Sequence, residues 1–258
     1  MRAVVIPSLP AVFYILLFFL GASVGSFSAV LITRFDAGKS IFSPSSCGEC
    51  GKRLKPKDMV PILSYLYYKG KCAYCNEHIS LKLPVIEIFL GLYSVLVYLK
   101  AGFGFEYVKL MIFSAFLFPV SYIDYLYYKI RLDYLALCAV LITGLYAVFD
   151  ISSIFVNLYG GLLGFAFFYV IRFFYKKKLG YGDVFLLSLL GLFTGINGVF
   201  WVVLMGSLLG ILYALFCHVF KIKGIRQRIP FAPFLSVAAF IFMLLSEHIK
   251  KLLPTNFI

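Results

Sequence analysis

Long apolar runs separated by short polar segments set the pattern of the chain. The runs lie roughly at 10–33, 83–99, 107–123, 132–149, 154–174, 184–194, 198–220 and 231–246. A membrane span needs about 20 mostly apolar residues, so the pattern predicts about eight transmembrane helices. The sixth run is short on its own. It is expected to continue into the seventh as a tight hairpin through Gly195, Ile196, Asn197 and Gly198. One polar segment of about 50 residues stands between the first two runs. The expected fold is an all-α polytopic membrane protein, with a small domain inserted between helices 1 and 2. Residues 1–33 are read as the first helix, 34–83 as the inserted domain and 84–258 as the remaining helices. A cleaved signal peptide is not expected, because Arg2 alone precedes the first run and no clear small-residue cleavage site follows it.

Composition strengthens this reading. The chain is 62% hydrophobic and only 14% charged, whereas soluble domains are nearer half apolar and about a quarter charged. Charge then gives an orientation. With the segment after the first helix in the cytoplasm, the cytoplasmic loops collect Arg34 to Lys82, Lys129, Arg131, Arg172, Lys176 to Lys178, and Lys221 to Arg228. The other side keeps Arg2, Lys100, Lys109, Lys250 and Lys251. This is the positive-inside bias, with both termini outside. The net charge of +13 is therefore read as a topology signal that also favours anionic headgroups, and no nucleic-acid partner is expected. The surrounding partner is the lipid bilayer.

The inserted segment carries two CxxC pairs, Cys47 with Cys50 and Cys72 with Cys75. This spacing predicts a structural zinc site of four cysteines in tetrahedral array on two knuckles. Gly51 and Asn76 suit the tight turn behind each knuckle. So small a segment holds little core, and the metal would contribute directly to its folding. Two disulfides or four free thiols are the alternatives, and a cytoplasmic location disfavours stable disulfides. His78 is read as a surface residue, and Cys138 and Cys217 as packing residues.

Two aspartates stand at the ends of apolar runs, and an ionisable group beside hydrocarbon is a functional-site hypothesis by default. Asp124 closes the third span and Asp183 opens the sixth, so the proposed topology puts both on the cytoplasmic side. Gly180 and Gly182 precede Asp183, and glycine permits positive φ or close approach of another backbone. Two carboxyls within hydrogen-bond reach do not both ionise readily; such a pair can share a proton and hydrolyse a peptide bond without a metal. The competing view is that each aspartate is a helix-end residue, Asp183 capping the sixth span. Asp133 is expected to be the N-cap of the fourth span, and Asp36, Asp58 and Asp150 to be loop charges. A proton-coupled transporter with an aspartate relay is a different class, although such folds often show internal repeats and none is obvious here. A membrane-anchored zinc-ribbon interaction module is a third.

The ordered set of motifs resembles the type IV prepilin leader peptidase family, membrane aspartic peptidases of the GxGD class. Gly25-Ser26-Phe27 with Arg34, the four-cysteine segment, Asp58 to Tyr65, Gly70 to Cys72, and Ile79 to Glu87 are similar to family segments. So are Ile123-Asp124, Gly180-Tyr181-Gly182-Asp183 and Ile229 to Phe234. The resemblance implies a bacterial cytoplasmic (inner) membrane enzyme with Asp124 and Asp183 as its catalytic dyad in an 84–258 peptidase domain. It implies removal of the basic leader from prepilins and pseudopilins on the cytoplasmic side, and N-methylation of the new terminus with S-adenosyl-L-methionine. The methyl-donor pocket is not defined by these motifs. Ala29 stands where the family usually has asparagine, Arg131-Leu132-Asp133 is one residue out of step with the family, and Phe185 replaces a common basic residue. Glu49, Asp58, Glu77 and Glu87 are candidates to offset the repulsion between basic loops and a basic leader.

Overall fold

A computed structural model describes residues 10–38, 40–175, 179–220 and 229–252, except the side chains of 36 and 246–252. Lys176 to Lys178 and Lys221 to Arg228, which enter the orientation argument, lie outside the described residues, as do Arg2 and Lys39 and the side chains of Asp36, Lys250 and Lys251. The described chain is all-helical: α1 (Ala11–Asp36), a 3₁₀ turn (Pro56–Met59), α2 (Leu63–Tyr67), α3 (Lys82–Ala101), α4 (Phe105–Tyr127), α5 (Leu132–Phe149), α6 (Ile151–Phe174), α7 (Tyr181–Val219) and α8 (Ala232–Leu252). Among the described residues six helices are long and apolar enough to cross a membrane, and α8 adds a shorter apolar stretch, Ala232–Leu245. Large apolar side chains such as Phe155, Leu162 and Phe173 are exposed, as expected where lipid replaces water as the surrounding solvent. The protein is a multi-pass membrane protein. Two compact units divide it within α4, Met1–Ala115 and Phe116–Ile258.

In the first unit α1 packs on α3 through glycines. A Cβ on Gly21 would lie 2.3 Å from the Leu90 carbonyl, and one on Gly25 would lie 2.7 Å from Glu87 Cα. Small residues allow this approach where helices associate by van der Waals packing. Buried hydroxyls join the helices: Ser94 Oγ donates to the Leu17 carbonyl at 2.8 Å and pairs with the Tyr107 hydroxyl at 2.6 Å. A further one answers a backbone defect. Pro119 sits inside α4 and has no N–H, so the Ala115 carbonyl loses its usual partner four residues on. Ser28 Oγ, fully buried, donates to that carbonyl at 3.0 Å.

In the second unit α6 and the first half of α7 meet along Gly160, Gly161, Gly164 and Gly191. A Cβ on Gly191 would lie 2.3 Å from the Gly160 carbonyl oxygen. The 39 residues of α7 would measure about 58 Å as one rod, well beyond a hydrocarbon core of about 30 Å. Gly195 breaks the rod with φ 69° and ψ −175°, a region open essentially to glycine alone. On one side of it, Gly164 and Gly160 of α6 meet Leu187 and Gly191 in turn. On the other, Gly198, Gly206 and Gly210 run along Phe242, Leu235 and Phe231 in and beside α8. The start of α8 lies beside Asp124, as does the start of α7. The chain therefore turns back at Gly195, and the expected hairpin is present inside one element.

Candidate active site and metal centre

The candidate metal centre is assembled by two equivalent knuckles. In the first, Cys47 N–H donates to the Lys52 carbonyl and Gly51 N–H to the Cys47 carbonyl; in the second, Cys72 N–H donates to Glu77 and Asn76 N–H to Cys72. Gly51 and Asn76 both have positive φ, 67° and 57°, as the turns require. Single antiparallel bridges, Ser46 with Arg53 and Lys71 with His78, close each knuckle. The four Sγ atoms lie within 4.8 Å of one another, and Cys47 Sγ is 3.8 Å from Cys75 Sγ. Tetrahedral ligation at about 2.3 Å per thiolate spaces sulfurs by about 3.8 Å, so the donor set fits a metal ion. Backbone N–H groups of Cys75 and Tyr74 lower the Cys72 thiol to about 7, while burial and the neighbouring thiols push the Cys75 thiol up to about 12; a bound cation would draw both to the thiolate. His78 is exposed and outside the cluster, and Cys138 and Cys217 are buried.

Asp58 is more than a loop charge. Its carboxylate accepts the Lys55 N–H at 3.0 Å and the hydroxyls of Tyr68 and Tyr74 at 2.8 and 2.9 Å. These bonds, the Lys55 N–H first, hold it below the usual carboxylate range. They tie the 3₁₀ turn to the second knuckle. Glu87 is likewise no surface acid for a basic leader: it is buried on α3, accepts the Ile62 N–H at 2.7 Å and is bonded by Ser26. Asp150 is the N-cap of α6, accepting the Ser153 N–H and the Ser152 hydroxyl. Asp133 is not the N-cap of α5. Arg131 holds that position, and Asp133 pairs with its guanidinium in the first turn.

Asp124 and Asp183 both belong to the second unit. Asp124 lies in the last turn of α4 and is buried. Its Oδ2 accepts the Ala232 N–H at 3.0 Å, and the Phe231 N–H also bonds the carboxyl. The carboxylate thus serves the start of α8, where unpartnered N–H groups and the helix dipole favour negative charge. Pro233 follows directly and has no N–H to satisfy. The segment Ile229 to Phe234 stood out in the sequence only by its resemblance to a family segment; that its backbone donors belong to Asp124 was not readable there.

Asp183 is the third residue of α7, half-buried, and its carboxyl takes the Gly180 N–H, the N-cap position. This is half of a capping box, so the helix-end role of Asp183 is real. Asp124 is its charged neighbour. The two glycines act through close approach and not through positive φ. Gly180 has φ −67°, and a Cβ there would lie 3.1 Å from Asp183 Oδ2. A Cβ on Gly182 would lie 2.7 Å from Ile130 Cβ. The arrangement brings together two carboxyls, one well anchored on backbone donors and one at the half-open edge of a helix start. Such a pair can take a proton from water and give one to a leaving amine.

Comparison with known proteins was consistent across most of the chain. Residues 19–101 match the bacterial peptidase A24 N-terminal domain. Residues 111–215 match the type IV leader peptidase family. The prepilin leader peptidase/N-methyltransferase of Bacillus subtilis (strain 168) is 28% identical over 239 residues, covering 91% of this chain and 95% of the relative. The proteins of the same name from Pseudomonas putida and Aeromonas hydrophila are each 27% identical, covering 93% and 97% of this chain and the same shares of the relatives. No solved structure matches the chain.

Proposed function

The chain belongs to the type IV leader peptidase family, and from that premise we infer that it cuts leaders from prepilins or pseudopilins and N-methylates the new amino terminus. Relatives that span nearly all of the chain carry both activities in their name, which favours this reading over a proton-coupled transporter. The observation that supports the peptidase half most directly is the pair of carboxyls, Asp124 and Asp183, at helix ends of one unit.

In this reading one carboxylate takes a proton from the attacking water while the other, protonated, supplies the leaving amine. Atoms balance without a covalent enzyme intermediate. The backbone N–H groups of Phe231 and Ala232 hold Asp124 in place, and the Gly180 N–H orients Asp183. Gly180 and Gly182 keep the space beside the second carboxyl clear of side chains. The excess of Lys and Arg on one set of loops supports a cytoplasmic location for the acid pair and for the cysteine domain, residues 34–83. Zinc is the metal that suits four thiolates at tetrahedral spacing in such a compartment. S-adenosyl-L-methionine is the methyl donor in this proposal.

The test is to incubate purified protein with a prepilin and S-adenosyl-L-methionine, and to read product mass and N-terminus beside Asp124→Asn and Asp183→Asn. A cut and methylated product, with neither variant cutting, is expected. A product that is cut but unmethylated refutes the second activity, and cutting by either variant refutes the dyad. Stripping the metal with a chelator should unfold residues 34–83, followed by protease digestion of that segment, and added zinc should restore it.

A further inference from the structure

The methylation proposed above needs a place for its donor, and the first unit contains a groove that has no other assigned role. One wall is a stripe of α1: Ser23, Ser26, Phe27, Val30 and Arg34 recur at helical spacing. Ser45, Met59 and Pro61 of the cysteine segment form the facing wall, around a cavity of about 290 Å³. A second lobe of about 490 Å³ shares Ser45 and Met59 and adds Arg53 and Lys55. Together the lobes reach the size range of small-molecule sites, about 300–1,000 Å³.

Charge is distributed along this groove. Glu87 stands behind Ser26 and Pro61, bonded to the Ser26 hydroxyl and to the N–H of Ile62. It reaches α1 because Gly25 has no Cβ; one would lie 2.7 Å from Glu87 Cα. Ile62 holds φ 63°, an outlier for a β-branched residue, in the conformation that presents its N–H to Glu87. The other lobe is cationic through Arg53 and Lys55. Arg34 donates to the carbonyls of Ile41 and Ser43 and so pins the rim. The Asp58 bonds to Tyr68 and Tyr74 hold the turn that carries Met59 against the metal knuckles.

We propose that this groove binds S-adenosyl-L-methionine, with its sulfonium toward Ser26 and Glu87 and its carboxylate toward Arg53 and Lys55. Phe27, Met59 and Pro61 supply apolar surface for the adenosine. The donor carries a positive sulfur. On transfer, an amine nitrogen bonds to the methyl carbon, the carbon–sulfur bond breaks with its electron pair left on sulfur, and the amine loses a proton. The product, S-adenosyl-L-homocysteine, has a neutral sulfur, so a carboxylate on that side favours donor over product.

The test uses full-length, zinc-loaded protein in lipid nanodiscs. Labelled S-adenosyl-L-methionine is crosslinked by ultraviolet light and the labelled peptides are mapped. Dissociation constants for donor and product are measured in parallel for wild type, Glu87→Gln, Ser26→Ala and Val30→Trp. Label within 23–34 or 53–61 is expected. Glu87→Gln, which keeps an oxygen for the Ile62 N–H, should weaken donor binding about ten-fold, the equivalent of about 1.4 kcal/mol, and leave product binding within about two-fold. Val30→Trp should weaken both ligands by filling the groove. Label confined to 116–258, or donor affinity unchanged in all three variants, overturns the inference while methylation itself stands. Equal losses for donor and product in Glu87→Gln overturn the charge assignment. A wild type that binds no donor at all overturns both the groove and the methylating activity.

Discussion

In the proposed function Asp124 has two jobs, and its substitutions separate them. Asp124→Asn keeps an oxygen for the Ala232 N–H, now 3.0 Å away, and loses only the charge at the start of α8. That loss is about 0.3–1 kcal/mol, up to about 2 in a buried setting. Asp124→Ala removes the acceptor altogether and strands the N–H groups of Phe231 and Ala232. Each stranded donor costs about 1–3 kcal/mol in a protein interior, and interhelical hydrogen bonds in membranes average about 0.6. The alanine variant should therefore be less stable than the asparagine variant by about 1–3 kcal/mol. Cleavage should fall in both by about 10²–10⁴-fold, the range for removing a general acid or base. Unfolding by detergent titration, followed by circular dichroism, reads the first effect, and prepilin cleavage in nanodiscs reads the second. Asparagine at wild-type cleavage rate would refute the dyad and leave Asp124 as a helix cap. Equal stability of the two variants would refute the capping argument.

Three further perturbations probe the surrounding structure. Ser28→Ala should destabilise the wild type by about 1–2 kcal/mol but do almost nothing in a Pro119→Ala background, where the restored backbone N–H would satisfy the Ala115 carbonyl; a double-mutant cycle that finds no coupling rejects the pairing. Gly182→Ala places a Cβ 2.7 Å from Ile130 Cβ and should lower kcat by displacing Asp183, with recovery on adding Ile130→Ala; failure of the second change to rescue cleavage argues against that contact. Asp58 is held below the usual carboxylate range, chiefly by the Lys55 N–H and then by Tyr68 and Tyr74. Its contribution to the stability of residues 34–83 is therefore present above about pH 4 and is lost as pH falls through its lower folded value. Protease resistance of wild type should exceed that of Asp58→Asn at neutral pH and converge with it in acid, and a gap that persists unchanged at about pH 3, below the ordinary carboxylate range, contradicts the assignment.

Local chemistry made much of this protein readable from the chain. Crossing hydrocarbon demands about 20 apolar residues in a row, so the spans show as composition, and even the hairpin inside α7 is marked by Gly195 beside a run too short to span alone. Four cysteines in two CxxC pairs mark a candidate ligand set, the structure brings them together, and the turns at Gly51 and Asn76 follow. The aspartates at the ends of apolar runs were visible for the same reason, as charges that hydrocarbon does not tolerate cheaply.

What only the tertiary structure decided is which distant group answers which polar atom. Asp124 takes its backbone donor from 108 residues away, and Ser28 finds the carbonyl freed by Pro119 across 87 residues. Glu87, which the chain presents as one more acid after a loop, is bonded to Ile62 and Ser26 behind a groove. In a soluble helix, polar and apolar faces announce which side packs inward. Here lipid-facing and protein-facing sides are both apolar, so periodicity carries little information about neighbours. The few buried polar groups and the glycines that let backbones touch, Gly25 of α1 against α3 and Gly160 of α6 against α7, hold that information instead, and it becomes legible only once the helices are side by side.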